Sequence, residues 1–454
     1  MELSFKELVL AVNGEVLVDN ENKNFNTVNT DTRKIEKDNI FIALKGESFN
    51  GNIYAKDALK KGASIVIVDE IIEDVNSFNG LGIVIKVKNT YDALLDLAHY
   101  YRKKLGLKVI GVTGSTGKTS TKDLVAAFLS HKYKVFKTKG NFNNEVGLPL
   151  MVFQLDSSYD VAVLELGMSD LGEIHKLADC SRPDIGLITN IGLSHLENLK
   201  TRDNILKAKM EITDFFTKDN VLIVNGEDDY LPNVTSDTYT LIKTGYDESF
   251  KFRAKDIELT DKETSFTLVS CEGEYKFILP MVGAHNVLNA LLGIAAAREL
   301  NISYEDMQKG LLNLEATSMR LQFIEKDNFT IINDCYNASP DSMKAALEVL
   351  MNQKGKRKIA ILGNMNELGS EAKNAHVAVG KYAIGKADLV ISTGEEKDNY
   401  KLGFDKDCTK LYETKEELIN DLSNVVKKGD VILVKASRGV KFEEIVKALE
   451  SIEI

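Results

Sequence analysis

A short apolar strand that leads directly into a glycine turn and a Lys-Thr pair is the feature that most constrains the fold of this chain. Residues 109–112 are mostly apolar, residues 113–119 read Thr-Gly-Ser-Thr-Gly-Lys-Thr, and a helix-forming run continues to Leu129. Backbone N–H groups of such a turn, together with the positive end of the helix that follows, attract phosphate groups. The segment therefore predicts a nucleotide phosphate site at this junction.

The residue types in the turn suit a bound nucleotide. Lys118 can reach the β and γ phosphate oxygens, and the hydroxyl of Thr119 can bind Mg²⁺. The spacing is a variant of the usual phosphate loop, because Val112 stands where a glycine is usual and Gly111 lies one position earlier. We expect ATP or GTP as the ligand. The residues expected to contact it are Gly114, Ser115, Thr116, Gly117, Lys118, Thr119 and Ser120.

Length, charge and hydropathy limit the classes of protein to which this chain can belong. The 454 residues suffice for about three domains, and the net charge of −11 argues against a nucleic-acid-binding surface, which needs clustered Lys and Arg. The sequence has no secretory pattern at its N-terminus and no apolar stretch of about 20 residues, so we expect a cytoplasmic protein without membrane insertion. The four cysteines are widely spaced, which predicts reduced thiols rather than a zinc site or disulfides.

Apolar patterning divides the chain into three α/β units. Residues 1–107 form a small N-terminal unit, residues 108–318 alternate strands and helices as a doubly wound parallel sheet does, and residues 319–454 form a second Rossmann-like unit without a phosphate loop. One ATP site among three units suggests substrates brought together between domains. The clearest predicted elements are a helix over 91–104 and strands over 39–44, 63–68, 161–166, 185–189, 221–224, 329–333, 358–362, 389–392 and 431–434.

Polar residues follow two strands of the central unit, at the rim where open α/β sheets bind ligands. Glu165 lies at the end of the strand predicted over 161–166, where it can hold Mg²⁺ beside Thr119. His195 follows a second strand end, and Lys209 lies in a helical run. Taken alone, a histidine after a strand is more often structural, and a lysine in a helix usually lies at the surface.

Five segments, in order along the chain, together resemble the Mur ligase family. They are the loop at 113–119, the segment Gly-Asn-Phe-Asn-Asn-Glu at 140–145, Glu-Leu-Gly-Met at 165–168, Asn-Ile-Gly at 190–192 followed by His195, and Ala-Lys-Met-Glu-Ile at 208–212. Residues 434–439 also resemble the family's last-domain motif. Order conserved across separate motifs makes the resemblance specific, and it covers essentially the whole chain.

The segment at 333–344 narrows the resemblance within the family. It is similar to the members that add D-alanyl-D-alanine to UDP-N-acetylmuramoyl-tripeptide, and it lacks the Tyr-Ala-His-x-Pro pattern typical of the diamino-acid-adding members. The resemblance implies these two substrates. Formation of an amide from a carboxylate and an amine requires activation by ATP, which predicts an acyl-phosphate intermediate. Candidate ATP contacts on two domains lead to the hypothesis that the third domain closes over the ATP site. We also expect the enzyme to be monomeric.

The resemblance implies two Mg²⁺ ions at the ATP site. Thr119 and Glu165 would bind one ion, and His195 with a carbamylated (N-carboxylated) Lys209 would bind the second. A carbamate turns a cationic lysine into an anionic oxygen ligand, which a hard cation prefers. The catalytic residues implied in this way are Lys118, His195, Lys209 and Arg320.

Further residue roles come from the same resemblance. Asn286 is expected near the adenine, Arg320 at the phosphates and Asp334 at the ribose. The residues expected to bind the substrates are Asp31, Thr32, Arg33, Ala43 and Gly46 for the UDP-sugar, together with Asn143, Asn144 and Asn337. The chain departs from the family pattern at Asn50 and Asn52, where Asp and His are frequent, and at Asn364, where Asp is frequent.

Alternative functions remain open at this point. Another amino-acid-adding Mur ligase or a folylpolyglutamate synthase would share the architecture and differ in the acceptor amine. A P-loop ATPase that acts as a switch or binding module would hydrolyse ATP without a carboxylate or an amine, whereas a ligase needs both.

Overall fold

Three β-sheets follow one another along the chain, each within its own α/β unit. The computed structural model describes residues 1–314, 318–404 and 407–453. The predicted boundary at 318/319 directly follows 315–317, which lie outside the described residues, as does Ile454 at the predicted end of the third unit. No helix in the described ranges combines the length and hydropathy needed to cross a bilayer.

The first unit is a small sheet covered by helices. Its strands are β1 (Glu15–Val18), β2 (Val28–Asn29), β3 (Ile40–Ile42), β4 (Ile65–Val68) and β5 (Ile83–Lys86), and its helices are α1 (Phe5–Ala11), α2 (Ala55–Lys60) and α3 (Thr90–Leu105). The strand order is β1-β5-β4-β3-β2, and only β1 is antiparallel to its neighbour. Short 3₁₀ turns lie at Thr32–Lys34, Gly51–Tyr54 and Val75–Phe78. The strands predicted over 39–44 and 63–68 are confirmed.

Helix α3 shows how local sequence sets these boundaries. It begins after Asn89, whose side chain accepts hydrogen bonds from the backbone N–H groups of Tyr91 and Asp92, and it ends at Gly106, which has φ +66°. The helix predicted over 91–104 is confirmed to within one residue at each end.

The central unit carries the predicted phosphate loop. Its strands are β6 (Lys108–Thr113), β7 (Val135–Lys137), β8 (Val161–Glu165), β9 (Ile185–Ile188), β10 (Val221–Asn225), β11 (Thr240–Gly245), β12 (Phe252–Leu259), β13 (Thr264–Ser270) and β14 (Gly273–Leu279). Its helices are α4 (Lys118–Leu129), α5 (Gly147–Val152), α6 (Glu173–Ser181), α7 (Leu196–Leu199), α8 (Arg202–Met210), α9 (His285–Glu299) and α10 (Tyr304–Leu311), with 3₁₀ turns at Glu211–Thr213 and Leu231–Asn233. The strand order is β14-β13-β12-β11-β10-β9-β6-β8-β7.

The doubly wound parallel sheet predicted for this unit is confirmed from β7 to β12, but β12, β13 and β14 extend it with antiparallel pairing. The physical reason is the length of the connections. Only a few residues separate β12 from β13 and β13 from β14, and a short turn permits antiparallel pairing alone, because a parallel pair needs a long crossover.

The third unit is a second, smaller parallel sheet. Its strands are β15 (Gln322–Glu325), β16 (Thr330–Asn333), β17 (Arg357–Leu362), β18 (Leu389–Thr393), β19 (Thr409–Tyr412) and β20 (Asp430–Lys435). Its helices are α11 (Pro340–Met351), α12 (Ala372–Ala383), α13 (Lys397–Gly403), α14 (Lys415–Val425) and α15 (Glu443–Ser451), with 3₁₀ turns at Gly369–Glu371 and Arg438–Val440. The order is β15-β16-β20-β17-β18-β19, and only β15 is antiparallel.

Buried helix packing fixes the position of the phosphate loop. Helix α9 is apolar along most of its length, and its Ala290 and Ile294 share one fully buried cluster with Leu124 and Phe128 of α4. The two helices therefore hold each other, and the first turn of α9 reaches the loop that begins α4. Burial of such side chains stabilises the pair by about 1.5–3 kcal/mol for each large residue.

Candidate active site

The backbone of the predicted phosphate loop has positive φ angles at two of its glycines. Gly114 has φ +144° and Gly117 has φ +80°, both in the region that side chains rarely adopt. A Cβ at Gly114 would collide with the Thr189 side chain, and one at Gly117 would lie 2.8 Å from Oδ1 of Asn289. Helix α4 begins at Lys118, directly after the turn, so its N-terminus faces the loop.

The segment after β9 braces this loop. The backbone N–H of Ser115 donates to the carbonyl of Asn190 at 3.0 Å, and the N–H of Thr116 donates to Oδ1 of the same residue at 3.0 Å. The N–H of Gly192 donates to Oγ of Ser115 at 2.9 Å. The Asn-Ile-Gly segment at 190–192, which follows the neighbouring strand β9, thus stabilises the conformation of the phosphate loop.

The side chain of Lys118 folds back into the glycine turn that precedes it. Its Nζ donates to the carbonyl of Gly114 at 2.7 Å and is 3.4 Å from that of Ser115. Burial lowers the pKa of Lys118, and the neighbouring Arg320 lowers it further, whereas Glu165 and Glu367 act in the opposite direction. Contact with negatively charged phosphate oxygens would therefore stabilise the charged form of Lys118.

Thr119 and Glu165 form a pair that fits a hard cation. Oγ1 of Thr119 donates to Oε2 of Glu165 at 2.9 Å, and Nδ2 of Asn143 donates to Oε1 at 2.9 Å. Glu165 is only 2% exposed, so its negative charge is buried among neutral hydrogen-bond partners. Hydroxyl and carboxylate oxygens are the ligands that Mg²⁺ prefers, and these residues fit it. The described residues contain no cluster of three or more His, Cys, Asp or Glu side chains suited to a metal.

Lys209 is buried without a partner for a positive charge. The residue lies on α8 and is 1% exposed, and its ammonium makes no hydrogen bond or ion pair with any residue that the structure describes. Burial lowers the pKa of Lys209 well below its ordinary value, and the nearby charge of Lys118 lowers it further. The environment therefore favours a neutral amine, which is the form that reacts with carbon dioxide.

His195 contacts a residue of the third unit. Its Nδ1 lies 2.6 Å from Oε2 of Glu367, although the angles at this contact are not those of a hydrogen bond. The contact with the His195 ring lowers the pKa of Glu367, against the effect of burial. His195 has φ +61° and precedes α7.

A cavity of about 890 Å³ lies between the central and third units. Both units contribute to its wall, so a ligand inside it would contact both. The predicted site residues that line it are Ser115, Thr116, Gly117, Lys118, Thr119, Ser120, Asn143, Asn144, Glu165, His195, Asn286, Arg320, Asp334 and Asn337. Gly114 and Lys209 do not line the cavity, but Lys209 lies near enough to Lys118 for that charge to lower the pKa of Lys209.

The third-unit residues of this wall are held by one another. Arg320 stacks on the ring of Tyr336, with its guanidinium carbon 4.1 Å from the ring centroid. Oδ2 of Asp334 accepts a hydrogen bond from Nζ of Lys435 at 2.5 Å, and the same Nζ donates to the carbonyl of Asn337 at 2.9 Å. Lys435 is 2% exposed and lines the cavity itself, where its buried ammonium fixes Asp334 and Asn337.

The first turn of α9 forms another part of the wall. Asn286 is 2% exposed, and its Nδ2 donates to the carbonyl of Val282 at 2.9 Å. Beside it, His285 is largely enclosed by protein, with part of its ring facing the cavity; burial lowers its pKa to about 4, while Asp334 raises it and Lys435 lowers it. His285 is therefore uncharged at neutral pH and presents a neutral ring to the cavity.

The predicted UDP-sugar residues of the first unit do not line this cavity. Asp31 caps the turn Thr32–Lys34 and forms a 2.8 Å ion pair with Arg33, which lowers the pKa of Asp31 to about 2. Ala43 is fully buried, and a Cβ at Gly46 would collide with the ring of Phe49. Their predicted role remains a prediction.

The residues that depart from the family pattern have structural contacts. Nδ2 of Asn50 donates to Glu70 at 2.9 Å, and Nδ2 of Asn52 donates to Asp69 at 2.7 Å, so both amides hold the segment after β4. Oδ1 of Asn364 accepts the backbone N–H of Glu396 at 3.2 Å.

Three residues of the site were missed by the sequence reasoning, namely His285, Glu367 and Lys435. His285 adjoins the predicted residue Asn286, and Lys435 lies in the segment at 434–439, so the sequence carried a signal next to each of them. Glu367 carried no signal of its own, because its partner His195 is distant in sequence.

The chain matches three family models. They are the Mur ligase family, catalytic domain, at residues 24–102, the Mur ligase middle domain at 112–297, and the Mur ligase, glutamate ligase domain, at 319–438.

Individual relatives match over nearly the whole chain. The UDP-N-acetylmuramoyl-tripeptide--D-alanyl-D-alanine ligase of Bacillus subtilis (strain 168) is 41% identical over 434 residues, which cover 93% of this chain and 92% of the relative. The crystal structure of MurF from Acinetobacter baumannii has a TM-score of 0.92 at 31% identity and covers 99% of both chains. MurF ligase from Thermotoga maritima in complex with ADP has a TM-score of 0.82 at 28% identity, covering 93% of this chain and 97% of the other.

Proposed function

The chain belongs to the Mur ligase family, and we propose that it joins D-alanyl-D-alanine to UDP-N-acetylmuramoyl-tripeptide in peptidoglycan precursor synthesis, converting ATP to ADP and phosphate. The observation that carries this proposal is the cavity that the phosphate loop and the third unit share. The relative from Bacillus subtilis, at 41% identity, supplies the substrates by its name. We place the reaction in the cytoplasm, where ATP is available.

Activation of the acceptor carboxylate is the first chemical requirement. A carboxylate is a poor electrophile because resonance and negative charge disfavour attack by an amine. Transfer of the γ-phosphoryl group of ATP to a carboxylate oxygen gives an acyl phosphate and ADP. Arg320 lies close enough to Lys118 to lower the pKa of that lysine, and both cations are positioned to neutralise the oxygens of the transferring group.

Thr119 and Glu165 are the residues that would hold a Mg²⁺ ion at the phosphates. The ion supplies charge neutralisation at the phosphate oxygens when it is bound. Asn143 orients the Glu165 carboxylate through its 2.9 Å hydrogen bond, so that Oε2 faces Thr119.

Lys209 and His195 are the residues proposed for a second ion. The buried and partnerless amine of Lys209 supports carbamylation, because a neutral amine can attack carbon dioxide and lose a proton to give an anionic carbamate. The new carboxylate would place a negative charge near Lys118 and would be an oxygen ligand of the kind that a hard cation prefers.

Amide formation then follows. The amino group of D-alanyl-D-alanine attacks the acyl carbon, the tetrahedral oxyanion faces the same cationic side chains, and phosphate leaves with the electrons of the bond that breaks. One proton leaves the incoming amine, and the departing phosphate is a suitable acceptor for it. Asn337, Asn143 and Asn144 line the cavity and are proposed to position the two substrates.

Contacts between the units support closure of the third unit over the central one. Arg320 and Asp334 reach the nucleotide only when the two units meet. In this structure Lys354 of the third unit forms a 3.3 Å ion pair with Asp261 of the central unit, and Leu193 packs against the third-unit apolar cluster. Closure would exclude water and protect the acyl phosphate from hydrolysis.

The first unit is proposed to bind the UDP-sugar. Asp31, Thr32 and Arg33 form a turn in which none of the three is fully buried, and the buried strand β3 leads to Ala43 and Gly46. We also propose domain boundaries near 107 and 318, where each sheet gives way to the next.

The test is phosphate release from ATP and Mg²⁺ with each substrate supplied or omitted. We expect release to require both UDP-N-acetylmuramoyl-tripeptide and D-alanyl-D-alanine and to give a pentapeptide product by mass spectrometry. L-glutamate and a diamino acid, offered in place of the dipeptide, separate this ligase from its relatives. Equal ATP turnover without substrates would contradict the proposal.

A further inference from the structure

Glu367 crosses from the third unit to a proposed metal ligand of the central unit. Its Oε2 lies 2.6 Å from Nδ1 of His195, and its backbone carbonyl accepts a hydrogen bond from the N–H of Glu197 at 3.0 Å. The side chain of Glu367 thus contacts His195, and its main chain contacts the segment two residues further along. This is a two-point contact between the units at the edge of the cavity.

The loop that presents Glu367 is anchored in the third unit. The backbone N–H of Met365 donates to Nε2 of the buried His376 at 2.9 Å, and the N–H of Asn366 donates to Oγ of Ser437 at 2.9 Å. Leu368, the next residue, is 2% exposed. Because residues on both sides are fixed, the position of Glu367 follows the position of the third unit.

Both contact residues have backbone conformations that side chains usually avoid. Glu367 has φ +66° and His195 has φ +61°. Such conformations persist where surrounding contacts determine them, and they are frequent at functional sites. A purely incidental surface ion pair would not require them at both ends.

We propose that Glu367 is a positioning residue that acts through His195 and prepares it to bind a divalent cation when the third unit closes. The inference rests on the proposed function, in which His195 is a cation ligand. Metal-binding histidines commonly donate their second ring N–H to a carboxylate, which fixes the ring orientation and leaves the other nitrogen free for the metal. In the present contact Nδ1 and Oε2 already lie within hydrogen-bonding distance. Cation binding at His195 is thereby coupled to domain closure.

The experiment compares Glu367→Ala with Glu367→Gln and a matched control, Glu371→Ala. Glutamine retains an oxygen that can accept the N–H of His195, whereas alanine removes it. Glu371 lies in the neighbouring turn Gly369–Glu371 and has no contact with His195 among the described residues. Each variant is first checked for a thermal transition like that of the parent protein.

The readout is Mn²⁺ binding to the full chain with ADP, measured by electron paramagnetic resonance. We expect Glu367→Ala to weaken binding about 10-fold, at the lower end of the range for such partners because Glu367 is half exposed. Glu367→Gln should fall between alanine and the parent, and Glu371→Ala should match the parent. ADP binding without a divalent cation should be unchanged in all three.

A double-mutant cycle with His195→Ala decides whether Glu367 acts through His195. We expect Glu367→Ala to cause no additional loss of Mn²⁺ binding when His195 is already absent. Parent-like binding by Glu367→Ala, or an equal further loss in the His195→Ala protein, would overturn the inference. Failure of the proposed function has a separate signature, because it would remove the substrate dependence of phosphate release in the unmodified protein.

Discussion

The uncharged state of His285 leads to a prediction about stability and pH. The folded protein holds the pKa of His285 at about 4, against an ordinary value of 6.5. Between these two pH values the unfolded chain binds a proton that the folded protein does not, so the free energy of unfolding rises with pH. This contribution is complete above the unfolded pKa and is lost as the pH falls toward 4.

The size of the effect follows from the two pKa values. The interval from about 4 to 6.5 corresponds to about 3 kcal/mol of unfolding free energy. This is an upper bound, because part of the His285 ring is open to cavity water and is not fully excluded from solvent.

The perturbation is His285→Gln, which keeps a polar side chain but removes the titration. We expect the parent protein to lose more stability than the variant when the pH is lowered from about 7 to about 4.5. The assay is urea unfolding at a series of pH values, followed by the apparent midpoint of the transition that contains the central unit. His131→Gln is the matched control, because His131 is 46% exposed. Parallel pH profiles for parent and His285→Gln would refute the reasoning.

Three further substitutions probe the phosphate and metal residues. Glu165→Gln should lower kcat/KM by about 100- to 1000-fold, because a neutral amide replaces the buried anionic ligand, whereas the control Glu145→Gln should leave kcat/KM unchanged. A Mg²⁺ titration of phosphate release measures this difference, and full activity of Glu165→Gln would contradict the prediction. Lys209→Ala should abolish activity, and a short-chain carboxylate should restore part of it; steady-state rates with and without acetate test this, and an active variant without acetate would count against the carbamate. Gly114→Ala should weaken ADP binding about 10-fold or more, because the new Cβ would collide with Thr189 and alanine would be strained at the positive φ of this position. A fluorescent ADP analogue measures the affinity, and unchanged binding would count against this loop geometry.

The phosphate loop and its flanking elements could be predicted because their signals are local. An apolar run followed by glycines and Lys-Thr specifies a strand, a turn and a helix start without distant information, and α4 spans the predicted range Lys118–Leu129. Glu165 was predictable for a related reason. Its strand ends where the apolar run ends, and strand ends of parallel sheets share one rim.

Other features depend on partners that are far apart in the chain. The bond from Lys435 to Asp334 and the contact of Glu367 with His195 each join residues separated by more than a hundred positions. For none of these four residues does the neighbouring sequence indicate which distant residue it contacts. The antiparallel strands β12 to β14 were also missed, because their partly exposed faces weaken the apolar pattern that strand prediction uses.

The central claim, that a carboxylate is activated by phosphorylation before the amine attacks, is tested most directly by oxygen transfer. UDP-N-acetylmuramoyl-tripeptide labelled with oxygen-18 in its terminal carboxylate is turned over with ATP, Mg²⁺ and D-alanyl-D-alanine, and the released phosphate is analysed by mass spectrometry. The account predicts that each phosphate carries one labelled oxygen, because the bond from carboxylate oxygen to phosphorus survives when the amine displaces phosphate. Unlabelled phosphate, with ATP still consumed, would contradict it.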